Sequence, residues 1–227
     1  MYRVPTPINE PVRMYEPGSK DREEVIKAIK ELRDNPVEIP LVIGGEEVKT
    51  GEIKEITAPH NHKLVLGRYH QGGEKEVKMA VEAAIEARKT WEHMPWEQRS
   101  AVFLRAAELL SGPYRYKMNA AAMLAHSKNI FQAEIDAVCE LIDFYRFNCY
   151  FAQQLYDVQP LNATGIWDRM DHRPLEGFVF AVTPFNFISI NGNLPAAPAI
   201  MGNVSVWKPA STAVYTSHLL MQILRQA

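Results

Sequence analysis

Three polar residues, Thr183, Asn186 and Lys208, stand just past two short apolar runs, 178–182 and 204–207. An asparagine amide offers N–H donors. Aimed at a carbonyl that is gaining negative charge, such a donor accelerates carbonyl chemistry, and losing one typically costs about 2.7–4 kcal/mol. A lysine at a strand end offers a cation or donor to a ribose or phosphate. Plainer readings compete. Asn186 precedes an apolar helix-like segment and would serve as its N-cap, a position that favours Asn. Lys208 would be a solvated lysine past a strand. Thr183 would turn its carbonyl and hydroxyl to the same crevice, and alone it says little.

Other residue clusters carry less chemistry. His60-Asn61-His62 could suggest a metal, but a site needs three or four ligands and no partner cluster is visible, so it reads as a polar turn and no metal is expected. The two cysteines, Cys139 and Cys149, lie ten apart on a helical pattern, which suits neither zinc nor a disulfide. Cys139 sits in an apolar stretch and reads as buried. No G-x-G-x-x-G and no G-x-x-x-x-G-K-[ST] occurs, so the usual phosphate loops are missing from the sequence.

The segment that must position the polar residues is 175–213, LEGFVFAVTPFNFISINGNLPAAPAIMGNVSVWKPASTA. It reads as strand, crossover helix, strand, and ligands of open α/β sheets bind beyond the carboxyl ends of strands. Upstream, four prolines at 5, 7, 11 and 17 make residues 1–18 an extended surface segment. Residues 20–34 place Val25, Ile29 and Leu32 on one helical face. Runs at 41–43 and 46–48 flank Gly44-Gly45 and read as a hairpin. Further strands are expected at 53–56 and 64–69, with a turn at 59–62. Four helices follow. The first carries Val77, Val81, Ala84, Ile85 and Arg88 on one face. The second spans 96–110 with Val102, Ala106, Leu109 and Leu110 inward, and the third spans 114–126. The long fourth, 132–156, has Ile135, Val138, Leu141, Ile142, Tyr145 and Cys149 inward. Residues 161–174 read as a protruding hairpin or a loop.

The expected fold class is therefore α/β. A helical layer and a small hairpin sheet (1–160) pack on the first two strands of a Rossmann-like sheet (175–227), with 161–174 between them as an oligomerisation hairpin. Parallel sheets are covered on both faces, so two strands make an incomplete sheet. A helix running to Ala227 without a cap reads as a chain cut from a longer protein.

The 227 residues carry a formal net charge of −2, which leaves no basic footprint for nucleic acid and no polybasic membrane patch. No apolar run is long enough to span a bilayer. Few cysteines fit a reducing compartment, and the acidic residues among the first thirty argue against an uncleaved transit peptide. The cytoplasm is the expected compartment, with the mitochondrial matrix as the alternative.

Thr183-Pro184-Phe185-Asn186-Phe187, followed by Val206-Trp207-Lys208-Pro209 and Thr212, resembles the NAD(P)-dependent aldehyde dehydrogenase superfamily, including the twenty-two residues from Asn186 to Lys208. The stretches 103–113, 132–137, 140–148 and 175–179, with 9–12 and 16–19, are similar to its branch that oxidises L-glutamate γ-semialdehyde. The resemblance implies an NAD-dependent enzyme, homo-oligomeric, acting on a small aldehyde through a cysteine thioester. It makes Asn186 the oxyanion donor. It assigns Thr183, Pro184, Phe185, Lys208 and Ser211 to the cofactor, and Phe187 and Glu140 to the substrate. The family's nucleophilic cysteine and general-base glutamate belong to later parts of its chain. Ser211 replaces an acid that grips the ribose diol in many relatives, which leaves NAD against NADP open. Ser127-Lys128-Asn129 departs from the family's Gly-Lys pair. Two readings from other classes remain beside the enzyme: a non-catalytic nucleotide-binding module and an oligomerisation fragment.

Overall fold

The computed structural model describes residues 3–227. Residues 3–14 carry no helix or strand and bind along later helices, and a turn at Pro17-Gly18 follows. Val4 N–H donates to Gln153 Oε1 at 2.6 Å and Glu10 N–H to Asp143 Oδ1 at 2.7 Å, while Val4 and Tyr15 are buried. Helix α1 (Lys20–Asp34) starts where Ser19 Oγ accepts from Arg22 N–H at 3.3 Å. Asp21 and Glu23 in its first turn and Arg33 in its last complement the helix dipole.

Five strands follow: β1 (Val37–Ile39), β2 (Leu41–Ile43), β3 (Glu46–Val48), β4 (Ile53–Ala58) and β5 (Asn61–His70). β2 and β3 form the expected hairpin, and Gly44 and Gly45 take φ of 60° and 85°, the conformation its two-residue turn requires. β5 is the centre of a three-stranded sheet, parallel to β1 and antiparallel to β4. The β4–β5 turn is tighter than its sequence suggests, because only Pro59 and His60 lie between the strands.

Helices α2 (Glu74–Trp91), α3 (Trp96–Ser111) and α4 (Arg115–His126) follow. Ala106, Leu109 and Leu110 are buried as expected, with Phe103 beside them and Val102 half-buried. The apolar face of α2 is a correction. None of its residues is buried and Val77 is 58% exposed, because α2 lies at the rim, chiefly against β2 and a later strand.

The long fourth helix runs from 130 to 157 but changes register within itself. α5 (Ile130–Ala133) passes into a π-helical segment (Glu134–Glu140) and then into α6 (Leu141–Asp157). Val138, Leu141, Ile142, Tyr145 and Cys149 point inward. Ile135 does not, because the wider turn rotates it outward and buries Glu134 and Asp136 instead. Residues 161–174 contain no strand. They double back as an exposed loop, tied where the Gln159 side-chain amide both donates to and accepts from the Met170 backbone, at 3.2 and 2.9 Å.

β6 (Val179–Val182), α7 (Ile188–Ile200) and β7 (Ser205–Lys208) form the expected β-α-β unit, with β6 and β7 parallel and Val182 opposite Lys208. A 3₁₀ turn (Ser211–Ala213) leads into α8 (Val214–Gln226). Gly192 lets α7 press on α6, since a Cβ there would lie 2.8 Å from Leu141 Cδ1. One buried cluster, drawing on residues from Val4 to Ile223, joins the 1–160 and 175–227 regions.

Candidate functional site

The parallel pairing of β6 and β7 sets their carboxyl ends side by side. Thr183 N–H donates to Lys208 O at 3.2 Å, which closes the ladder there. Beyond it, residues 183–187 cross as an irregular loop to α7. Thr183 is a correction. Its side chain is buried rather than facing a crevice: the hydroxyl donates to Asn191 Oδ1 and accepts from Trp207 Nε1 at 3.0 Å. A threonine in this position stitches the strand to its helix, and only its backbone carbonyl is left for a ligand.

Asn186 does not cap α7. The N-cap is Phe187, which has no capping side chain. The cap comes from the π-helical segment. Asp136 Oδ2 accepts from Ile188 N–H at 3.1 Å, and Oδ1 accepts from Ser189 N–H at 3.1 Å and from Ser189 Oγ at 2.8 Å. A carboxylate here satisfies orphan donors and meets the positive end of the helix dipole. Asn186 is exposed, and its side chain enters none of the hydrogen bonds found among the described residues.

The remaining candidates lie around this loop and β7. Lys208 is exposed at the end of β7, and its ammonium is in none of the ion pairs found among the described residues. Ser211, exposed, opens the 3₁₀ turn three residues later. Pro184 is half-buried and the Phe185 ring is exposed. Phe187 lies under the Lys128 ammonium, 5.0 Å from the ring centroid, a cation–π contact. Glu140 Oε2 accepts from Ser189 Oγ at 2.8 Å, so the first turn of α7 joins Glu140 and Phe187 into one cluster.

Sequence reasoning missed His126, Lys128 and Asp136. Lys128 pairs with the same Asp136 carboxylate that caps α7. His126 Nδ1–H donates to Phe185 O at 3.1 Å, and Nε2 meets Thr216 Oγ1 at 2.9 Å. Burial pushes the His126 pKa down, and the nearby Lys128 charge adds to this, so the ring is neutral near pH 7. No local pattern marked Asp136, because its inward direction comes from the π-helical turn. Ser127, where the family resemblance expects glycine, takes φ 54° as the left-handed C-cap of α4.

Both cysteines are buried, which disfavours the thiolate. Burial pushes both thiols up to about 12. Among the described residues, no group of three or more His, Cys, Asp or Glu could hold a metal ion, and no helix is long and apolar enough to cross a membrane.

The chain is similar to known proteins in sequence and in fold. The model of the aldehyde dehydrogenase family matches residues 47–227. A Schizosaccharomyces pombe protein named as a probable delta-1-pyrroline-5-carboxylate dehydrogenase is 52% identical over 228 residues, which takes in 100% of this chain and 42% of that protein. A Bos taurus mitochondrial delta-1-pyrroline-5-carboxylate dehydrogenase is 45% identical, over 96% of this chain and 39% of its own length. The crystal structure of the Mycobacterium tuberculosis delta-pyrroline-5-carboxylate dehydrogenase bound with NAD superposes with a TM-score of 0.97 at 49% identity, covering all of this chain and 42% of that one. The chain thus spans about two fifths of the length of these relatives. With the family model matching residues 47–227, most of its length, the chain belongs to the aldehyde dehydrogenase family.

Proposed function

We propose that these residues work in the oxidation of L-glutamate γ-semialdehyde, the open form of 1-pyrroline-5-carboxylate, to L-glutamate with reduction of NAD, in proline breakdown. The observation that carries this reading is Asn186. Asp136 relieves it of capping, so its amide stands exposed beside the carboxyl ends of two parallel strands. There it donates an N–H to the aldehyde oxygen as negative charge develops. The names of the relatives support the substrate, and the NAD in the Mycobacterium tuberculosis structure supports the cofactor.

The residues at hand fit that cofactor. NAD, when bound, supplies the acceptor for the hydride that leaves the aldehyde carbon. Lys208 holds the adenosine ribose with its exposed ammonium. Ser211 stands beside it without a carboxylate to repel a 2′-phosphate. Thr183 contributes its carbonyl, and Pro184 and Phe185 line the groove. The N-terminus of α7 already holds the Asp136 carboxylate, so it does not serve as the pyrophosphate seat. Phe187 and Glu140 take the aldehyde side, Phe187 as the N-cap of α7 and Glu140 bonded to Ser189 of its first turn. With both thiols buried, the nucleophile and the general base come from outside these 227 residues.

The exposed 161–174 loop, with Leu161 98% and Trp167 82% exposed, supports contact with a second subunit. The name of the Bos taurus relative, mitochondrial, supports a mitochondrial location over the cytoplasm.

The test is Asn186→Asp in the whole enzyme. A carboxylate offers no N–H and sets a charge against a developing one, so turnover with glutamate semialdehyde falls by roughly 10²–10³-fold or more while the melting temperature holds. Near-normal turnover overturns the reading.

A further inference from the structure

The loop that carries Asn186 has no regular structure of its own, yet it is held from both sides by side chains remote in sequence. On one side, His126 at the end of α4 donates from Nδ1 to the carbonyl of Phe185 at 3.1 Å. That carbonyl belongs to the peptide unit that ends at the nitrogen of Asn186. The unit is planar, so holding its oxygen fixes the plane from which Asn186 departs. The His126 ring is itself steadied by Thr216 of α8 at 2.9 Å.

On the other side stands Asp136. Its contacts to Ile188 and Ser189 reach across 52 and 53 residues of sequence. A helix N-terminus can be satisfied by its own N-cap residue, but here that residue is Phe187, which has no capping side chain. The remote cap does something a local cap could not. It locks the first turn of α7 to the π-helical segment, and the Lys128 ion pair and the Ser189 hydroxyl hold the carboxylate in place. Asn186 therefore lies one residue after one anchor and two residues before the other.

We propose that His126 and Asp136 are positioning residues that hold Asn186 in its donating pose. This rests on the reading of Asn186 as the oxyanion donor. Neither residue touches the reacting atoms, and each acts through the backbone on one side of Asn186.

The experiment is a set of double-mutant cycles in the whole enzyme, with kcat and both KM values measured and each variant's melting curve recorded. Asn186→Ala is expected to lose roughly 10²–10³-fold in kcat. Asp136→Asn and His126→Phe are each expected to lose about 10–100-fold in kcat, with both KM values within about twofold, since small misplacements of a reacting group cost that much. His126→Asn keeps an N–H donor near the Nδ1 position, so it recovers at least about tenfold of the loss in His126→Phe. In the Asn186→Ala background, the Asp136 and His126 changes alter kcat by no more than about twofold, because nothing remains to be positioned. Should Asp136→Asn fail to fold, the His126 pair decides the matter. Losses that multiply in the double variants, or full kcat in His126→Phe, overturn the inference. Full kcat in Asn186→Ala alone overturns the oxyanion reading instead.

Discussion

Asp136 sends both carboxylate oxygens to the first donors of α7, so replacing Asn186 removes no helix cap. This separates two effects that usually travel together at such a position. A change at Asn186 alters chemistry without altering stability by more than about 0.5 kcal/mol, the range of ordinary surface substitutions. Lys208 offers the complementary case. Its ammonium is exposed past the last ladder bond of β7, so Lys208→Ala leaves the melting temperature unchanged. In the whole enzyme it is expected to raise the KM for NAD several-fold while the KM for the aldehyde stays put. Steady-state kinetics with each substrate varied in turn checks this, and an unchanged NAD constant removes Lys208 from the cofactor site. The exposed placement of these two residues at the strand ends was legible from the sequence because each follows an apolar run. Thr183 followed one too, but its hydroxyl turns inward to Asn191 and Trp207, a choice that depends on a partner helix no local pattern reveals.

At the scale of elements, the π-helical segment decides what the long helix does. Hydrophobic periodicity located the helix from 132 to 156 with little error, since its apolar stripe is strong. The register change left no local mark, and with it went the roles of Glu134 and Asp136. Glu134 is fully buried. Its Oε2 accepts from Tyr15 Oη and Asn119 Nδ2, each at 2.7 Å, and its Oε1 from Arg13 N–H at 3.0 Å and from the Arg115 guanidinium. Burial alone would raise its pKa, but these donors outweigh it and hold the carboxyl below its ordinary value. A depressed carboxyl stabilises the fold above its unfolded value of about 4.3, and that contribution is lost as pH falls through the folded value. Glu134→Gln is therefore expected to cost up to about 3–5 kcal/mol at pH 7, because it leaves Glu10 alone to balance the buried Arg115 charge. The gap between the variant and the parent protein should narrow as pH drops below about 4.3. Denaturant titrations at several pH values measure this, and a gap that is constant with pH contradicts it.

For the whole molecule, the two-stranded sheet is the exposed element. Phe180 and Val182 of β6 are 59% and 55% exposed, and the strand pair has open edges. Apolar faces and unpaired strand edges of this kind favour association. The 227-residue chain alone is expected to self-associate, with Phe180→Lys shifting it toward monomer. Sedimentation across the micromolar range tests this, and a monomer showing one sharp unfolding transition counts against it. The 3–18 strap has a different consequence, one of timing. Four of its hydrogen bonds, from Val4, Glu10, Arg13 and Tyr15, reach partners 119 to 149 positions later in the chain. At translation rates of about 5–20 residues per second, the strap waits roughly 6–30 s for those partners to be made. Val4 and Tyr15, sealed in the finished molecule, are thus bare on the ribosome throughout that interval. For a newborn chain this segment is a handle for chaperones and proteases, and it ceases to be one when the helix of Glu134 and Gln153 arrives.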